Sequence, residues 1–143
     1  MTPADIDLLT AQPDPAVEET KTPNNFRENL GIKVESWERG FASLSCIIRK
    51  GLLNGGGIAH GGVLMALADT AMGECFSHRE DNRSYVTTDI SYRFLDRALP
   101  GDKVMATAQA LRQGGRMMTA SCRLTVNGRL IGYASGSFYV LSD

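Results

Sequence analysis

From residue 32 onward, apolar positions recur mostly every second residue, and one long stretch breaks that rhythm. Residues 32–38 alternate and read as a strand, with Gly40 as a turn. Residues 41–50 read as a second strand, with Ala42, Leu44, Cys46 and Ile48 on one face and Ser43, Ser45 and Arg49 on the other. Residues 52–57 are loop. The break runs from residue 58 to about 77, where Leu64, Leu67 or Ala68, Ala71 and Cys75 recur at helical spacing, and Met65, Met72 and Phe76 add a second apolar flank. A helix apolar over most of its circumference is predicted to be buried. Alternation resumes over residues 85–94, placing Val86, Thr88, Ile90, Tyr92 and Phe94 on one side, and continues over 103–112, 117–126 and 129–141. Over 117–126, Met118, Ala120, Cys122, Leu124 and Val126 form the buried face. The breaks fall at Pro100-Gly101-Asp102, Gly114-Gly115 and Asn127-Gly128, and the last two read as hairpin turns built on positive backbone angles. Gly132, Ala134 and Gly136 share one face of the final strand, so something bulky must approach there. Two strands, one long buried helix and four strands joined mainly by tight turns predict an α+β fold, an antiparallel sheet around a single helix.

The first 25 residues stand apart as a polar lead-in carrying Pro3, Pro13, Pro15 and Pro23, with at most a short helix over 4–11. Residues 26–143 form one domain. A helical turn over 24–30, capped by Asn24 or Asn25 and stopped at Gly31, is expected where the two meet. A chain of 143 residues with 43% hydrophobic and 22% charged residues can bury a core without staples. Its net charge of −1 gives no bulk attraction to nucleic acid or an anionic membrane. There is neither a signal-peptide pattern nor an apolar run long enough to span a bilayer, so a cytoplasmic protein is expected. Cys46, Cys75 and Cys122 are odd in number and widely spaced, and read as reduced core residues rather than metal ligands or a disulfide framework.

Candidate chemistry gathers where the loop meets the long helix. Asn54 precedes three glycines, then Ile58, Ala59, His60, Gly61 and Gly62 lead into the helix, and Asp69 lies about two turns inside it. Glycines at a helix start leave backbone N–H groups open to a negative charge. A carboxylate on an apolar helix costs energy without a partner or a task. Together they suit a reaction in which an oxyanion forms and a carboxylate assists. Each residue also has a plainer role: Asp69 on a solvated face, His60 as a helix cap, Asn54 as a turn residue, Thr87 as a strand filler, and His78 as a solvated residue after the helix. No Lys-Ser/Thr pair follows the glycines, so they do not form a nucleotide phosphate loop, and no His/Cys/Asp cluster has metal-ligand spacing.

The element order, with Asn54, His60-Gly61-Gly62 and Leu67-Ala68-Asp69-Thr70-Ala71 at their spacing, resembles the hotdog fold and within it the PaaI-like acyl-CoA thioesterases. This family includes phenylacetyl-CoA and 4-hydroxybenzoyl-CoA thioesterases. The resemblance covers roughly residues 26–141 and implies that Asp69 is the catalytic carboxylate. It implies that the Gly61 N–H polarises the thioester carbonyl, that Asn54 positions water or the thioester, and that Thr87 supplies a hydroxyl near the carboxylate. His60 would shape the loop and can touch the thioester. It further implies sites shared across a homodimer, often paired into homotetramers, with Asn54 and Gly61 of one subunit facing Asp69 and Thr87 of another.

Thioester hydrolysis asks for oxyanion stabilisation and an activated water or a nucleophile, and coenzyme A thiolate leaves without a strong acid. No cofactor is expected, coenzyme A being part of the substrate. Gly62 is expected to let the substrate approach its backbone, and Met65, Met72 and Phe76 to line the pocket of an aryl or medium-chain acyl group. Arg93 and Arg116, ahead of Arg97, Lys103 and Arg112, are the leading candidates for the coenzyme A phosphates. Two other functions fit a hotdog protein: an acyl-thioester hydratase or dehydratase, which the placement of His60 and Asp69 does not match, and a non-catalytic acyl-CoA sensor.

Overall fold

The computed structural model describes residues 25–77 and 83–141. The expected helix at 4–11 and His78 lie outside them. A short helix α1 (Phe26–Leu30) starts on Asn25, whose side chain accepts the Glu28 N–H, and stops at Gly31 with φ 74°. Strands β1 (Lys33–Glu38) and β2 (Phe41–Ile47) follow, then a single 3-10 turn over Lys50–Leu52 and helix α2 (Gly61–Glu74). Four strands complete the chain: β3 (Tyr85–Phe94), β4 (Lys103–Gln113), β5 (Met117–Val126) and β6 (Arg129–Val140). They form one antiparallel six-stranded sheet in the order β1-β2-β4-β5-β6-β3. Helix α2 packs on β2, β3, β4, β5 and β6, so the sheet wraps the helix as its pattern demanded.

The core lies between α2 and the sheet. Leu67, Ala68, Ala71 and Met72 are fully buried against Leu44, Val104, Ala106, Met118, Leu124 and Ile131. Each large side chain so placed contributes about 1.5–3 kcal/mol by leaving water. All three cysteines are free and buried. Burial pushes the Cys122 thiol up to about 12 and the Cys75 thiol to about 11, so both stay protonated and inert.

Three local expectations need correction. Helix α2 begins at Gly61 rather than residue 58, because Ala59 is held in an isolated bridge to Leu53 and His60 caps the helix. Neither Gly114 nor Gly115 has a positive φ. Gly114 is needed for space instead: a Cβ there would lie 2.7 Å from the Met117 carbonyl oxygen. The third concerns β3. Its pairing with β6 slips between Thr87 and Asp89, so Thr88 is an extra residue in a β-bulge. Strict alternation would put Val86 and Thr88 with Ile90. The bulge instead aligns Thr87 with Phe138 on the helix side before it, and Ile90, Tyr92 and Phe94 with Gly136, Ala134 and Gly132 on that same side after it. The expected Asn127-Gly128 turn forms with φ 50° and 79°.

The close approach expected at the small residues of β6 has two causes. A Cβ on Gly132 would fall 1.9 Å from the Tyr92 hydroxyl oxygen, and one on Gly136 would fall 3.1 Å from Met72 Cε. Among the described residues, no helix is long and apolar enough to cross a membrane, and no group of His, Cys, Asp and Glu could hold a metal ion.

Candidate active site

The loop before α2 is fastened by its own backbone and by Asn54. The Asn54 N–H donates to the Ile58 carbonyl at 2.8 Å, and the Gly57 N–H donates to the Asn54 carbonyl. The Asn54 side-chain oxygen accepts the N–H groups of Gly56 (2.9 Å) and Ile58 (3.3 Å). Its oxygen is thus spent on the turn, and its NH2 remains to donate. The Ala59 N–H reaches the Ala98 carbonyl and the His60 N–H the Leu52 carbonyl, which fixes where the helix starts.

The amides of the first turn divide sharply. The Gly62 N–H donates to His60 Nδ1 at 2.8 Å. The Val63 N–H donates to the His60 carbonyl. Among the described residues the Gly61 N–H meets no acceptor, and it stands at the positive end of the helix. His60 is therefore a cap in this structure, its Nδ1 accepting and its other ring nitrogen carrying the proton when neutral. The same cap holds the Gly62 N–H, which is therefore not an open donor.

Asp69 sits half-buried eight residues further along α2, and the Thr87 hydroxyl donates to its Oδ1 at 2.7 Å. The bulge at Thr88 makes this contact possible by turning Thr87 towards the helix. At the other end of β3, Phe94 packs against the helix start, where a Cβ on Gly61 would meet ring carbons at 3.1 Å. The Phe94 ring rests on Tyr92 with centroids 4.3 Å apart. The Tyr92 hydroxyl is buried and has no hydrogen-bond partner among the described residues, and burial raises its pKa. Gly61 is small because of Phe94 as well as because of any ligand.

A cleft of about 480 Å³ opens beside the Gly61 amide. Ile58, Ala59, Leu64 and Phe94 give it an apolar interior, Asn54 stands at one side, and Leu95, Asp96 and Arg97 lie along it. Asp96 bonds to Arg129 and accepts the Arg97 N–H at 2.8 Å; these two contacts, the backbone one first, hold its carboxyl below the usual carboxylate range. His60 lines a different hollow of about 340 Å³ with Phe26, Leu30, Leu52, Leu53 and Val63.

A family model, the thioesterase superfamily, matches residues 56–131. The chain belongs to the thioesterase superfamily. The acyl-coenzyme A thioesterase PaaI of Escherichia coli K12 is 35% identical over 85 residues, 59% of each chain. The solved structure of the E. coli PaaI protein from the phenylacetic acid degradation operon superposes with a TM-score of 0.76 at 26% identity, covering 83% of this chain and 86% of that one. A mutant of the phenylacetic acid degradation protein PaaI from Thermus thermophilus gives a TM-score of 0.76 at 28% identity, covering 81% of this chain and 98% of that one. The protein is a PaaI-like hotdog thioesterase, a hydrolase of α+β architecture.

The thioesterase gathers only some of the residues anticipated at its site. Asn54 and Gly61 share the cleft, Asp69 and Thr87 bond to each other, and Met65 is half-exposed on α2. Met72 and Phe76, expected at the acyl group, are core residues at 0% and 2% exposure. They lie on the sheet-facing side of the helix region, Met72 over Gly136 and Phe76 packed with Tyr85 and Phe138. Arg93 and Arg116 do not line the cleft. Arg93 pairs across the sheet with Tyr133 on the face away from the helix, and Arg116 reaches the Tyr139 hydroxyl. Sequence placed Phe94 on the strand face with Tyr92 but not at the site; its signal there is the glycine it covers, legible only once β3 is known to end beside α2.

Proposed function

We propose that this thioesterase hydrolyses an acyl-coenzyme A with an aryl or medium-chain acyl group, releasing the free acid and coenzyme A. The observation that carries the reading is the Gly61 N–H at the helix start, which meets no acceptor among the described residues, on a residue that lines one cleft with Asn54. Such a donor stabilises the oxyanion formed when the thioester carbonyl is attacked, typically worth ~100- to 1000-fold in rate. Asp69 serves as general base, taking a proton from water as the oxygen adds to the carbonyl carbon, or as nucleophile through a mixed anhydride that water then opens. In both routes the C–S bond breaks, coenzyme A leaves as thiolate, and no cofactor takes part. Thr87 orients the carboxylate through its 2.7 Å hydrogen bond.

One chain does not complete this site. Gly61 and Asp69 are eight residues apart on one helix, roughly 12 Å along its axis, too far for both to act on one carbonyl. Strand β3 supports a solution. It is an edge strand of the sheet, its Thr87 end tied to Asp69 and its Phe94 end packed on Gly61. Antiparallel pairing of this edge with that of a second copy brings the Asp69 end of each chain to the Gly61 end of the other. We therefore read the working unit as a homodimer or a homotetramer of such dimers, with Asn54 and Gly61 from one copy and Asp69 and Thr87 from the other.

A panel of phenylacetyl-, hydroxybenzoyl- and straight-chain acyl-CoA esters, followed with a thiol-detecting dye, tests the proposal. The three buried cysteines keep the dye background low. Thiol release with at least one ester, lost by 100-fold or more in Asp69→Ala while the thermal transition is unchanged, is the expected result. Release that persists in Asp69→Ala overturns the assignment of the carboxylate. Tight acyl-CoA binding without release overturns the enzymatic reading.

A further inference from the structure

The coenzyme A phosphates lie at the far end of the pantetheine arm from the thioester. A cation that meets them belongs at the rim of the cleft that holds the Gly61 amide, not in its interior. Five basic residues were candidates from sequence, and the structure separates them. Lys103 is paired with Glu35 at 3.2 Å, in a hollow on a different part of the sheet. Arg112 lies near the end of β4, across from Thr119. Arg93 lies across from Tyr133 on the sheet face away from the helix, Arg116 reaches the Tyr139 hydroxyl, and neither lines the cleft. Arg97 alone of the five lines the cleft.

Its charge is engaged only through space, by the Asp96 carboxylate that it helps to hold below the usual range. Among the described residues, no acceptor hydrogen-bonds the Arg97 guanidinium and no carboxylate forms an ion pair with it. The nearest acid in sequence, Asp96, is bound to Arg129 and to the Arg97 backbone N–H. The backbone at Arg97 is also well fixed. The next residue, Ala98, is 1% exposed and its carbonyl accepts the Ala59 N–H at 2.9 Å, two residues before Gly61. A rigid link thus runs from the free amide to the base of an unpaired arginine on the same cleft. Arginine suits a phosphate because its planar fork donates two parallel hydrogen bonds.

We propose that Arg97 binds a phosphate of coenzyme A and makes the enzyme favour coenzyme A esters over phosphate-free thioesters. The inference rests on the reading of the cleft as the thioester site and adds the residue that recognises the carrier. Apolar Ile58, Ala59 and Leu64 then flank the pantetheine arm, and the charged lip marks where the nucleotide leaves the cleft.

Equilibrium binding tests the proposal without depending on turnover. Calorimetric titration of the full chain with coenzyme A and with pantetheine, for wild type, Arg97→Ala and Arg97→Lys, isolates the phosphate contribution. Arg97→Ala is expected to weaken coenzyme A roughly tenfold or more, as loss of a charged hydrogen bond does, and to leave pantetheine unchanged. Arg97→Lys should recover part of the loss, and raising salt should weaken coenzyme A for wild type more than for Arg97→Ala. Where esters are turned over, the same split should appear as a raised KM for acyl-CoA and an unchanged KM for the N-acetylcysteamine thioester. Equal weakening of both ligands, or of neither, overturns the role of Arg97. Normal, Arg97-dependent coenzyme A binding with no hydrolysis of any ester leaves the phosphate contact standing and sinks the hydrolytic reading instead.

Discussion

Single residues in this chain are small or polar for reasons that lie across the sheet. Gly132 is the clearest case. Its pairing partner on β3 is Phe94, yet the group that fills the space above it is the Tyr92 hydroxyl, 1.9 Å from where a Cβ would stand. Gly132→Ala must displace a ring that rests on Phe94 and is buried at its tip. Overpacking of this kind costs about 1–3 kcal/mol, and urea unfolding of the variant should show a midpoint lowered to match; an unchanged midpoint would mean the ring moves freely. The sequence made the stripe Gly132, Ala134, Gly136 visible, but not what fills it, because the occupants Tyr92 and Met72 come from β3 and α2. His60 shows the reverse. Its place before two glycines already suggested a cap, and the Gly62 N–H does bond to its ring nitrogen. Asn54 likewise serves its turn, with its NH2 left over. A residue beside a site can hold the loop and face the ligand at once, and local sequence reveals only the first role.

At the scale of elements, β3 decides the geometry of the site. Periodicity placed its bounds correctly but assigned the wrong face to its first half. A bulge adds one residue without any compositional mark, since Val86, Thr87 and Thr88 all favour strands. What the bulge achieves is physical: it lets Thr87 meet Asp69 and still turns Ile90, Tyr92 and Phe94 onto the helix. Deletion of Thr88 should restore plain alternation and keep Thr87 on the helix side with Ile90, because removing the extra residue leaves Thr87 opposite Phe138 and Asp89 opposite Ser137. Thioester hydrolysis retained in the deletion variant is the expected outcome, and a loss as complete as that of Asp69→Ala would refute this reading of the bulge. The helix was legible from its spacing, including its burial, but its start was not. The bridge between Leu53 and Ala59 ends the loop three residues later than the apolar pattern suggested. The apolar flank of α2 misled in a similar way. Met72 and Phe76 looked like pocket-lining residues because they neighbour Asp69, whereas that side of the helix region faces the sheet.

The whole molecule is a sheet with one helix inside it and two edges, β1 and β3. Element order and turn chemistry made the antiparallel sheet, its three hairpins and the buried helix legible, whereas the pairings of β2 with β4 and of β3 with β6 join strands far apart in the chain and carry no local signal. The site was legible only as a set of residue types, since the distance between Gly61 and Asp69 along the helix keeps them apart within one chain. The two tethers of β3 have a consequence for inheritance. If each working centre takes Asn54 from one copy and Asp69 from another, then an Asn54→Ala chain and an Asp69→Ala chain, each inactive alone, are not equivalent defects. When they assemble together, one centre of the mixed pair receives both lesions and the other receives neither. Co-expression of the two should restore about a quarter of wild-type activity if copies pair at random, whereas two lesions confined to the same chain should restore none. Two broken alleles would then complement each other, and a cell carrying both would hold about a quarter of the working centres of a cell with two intact ones.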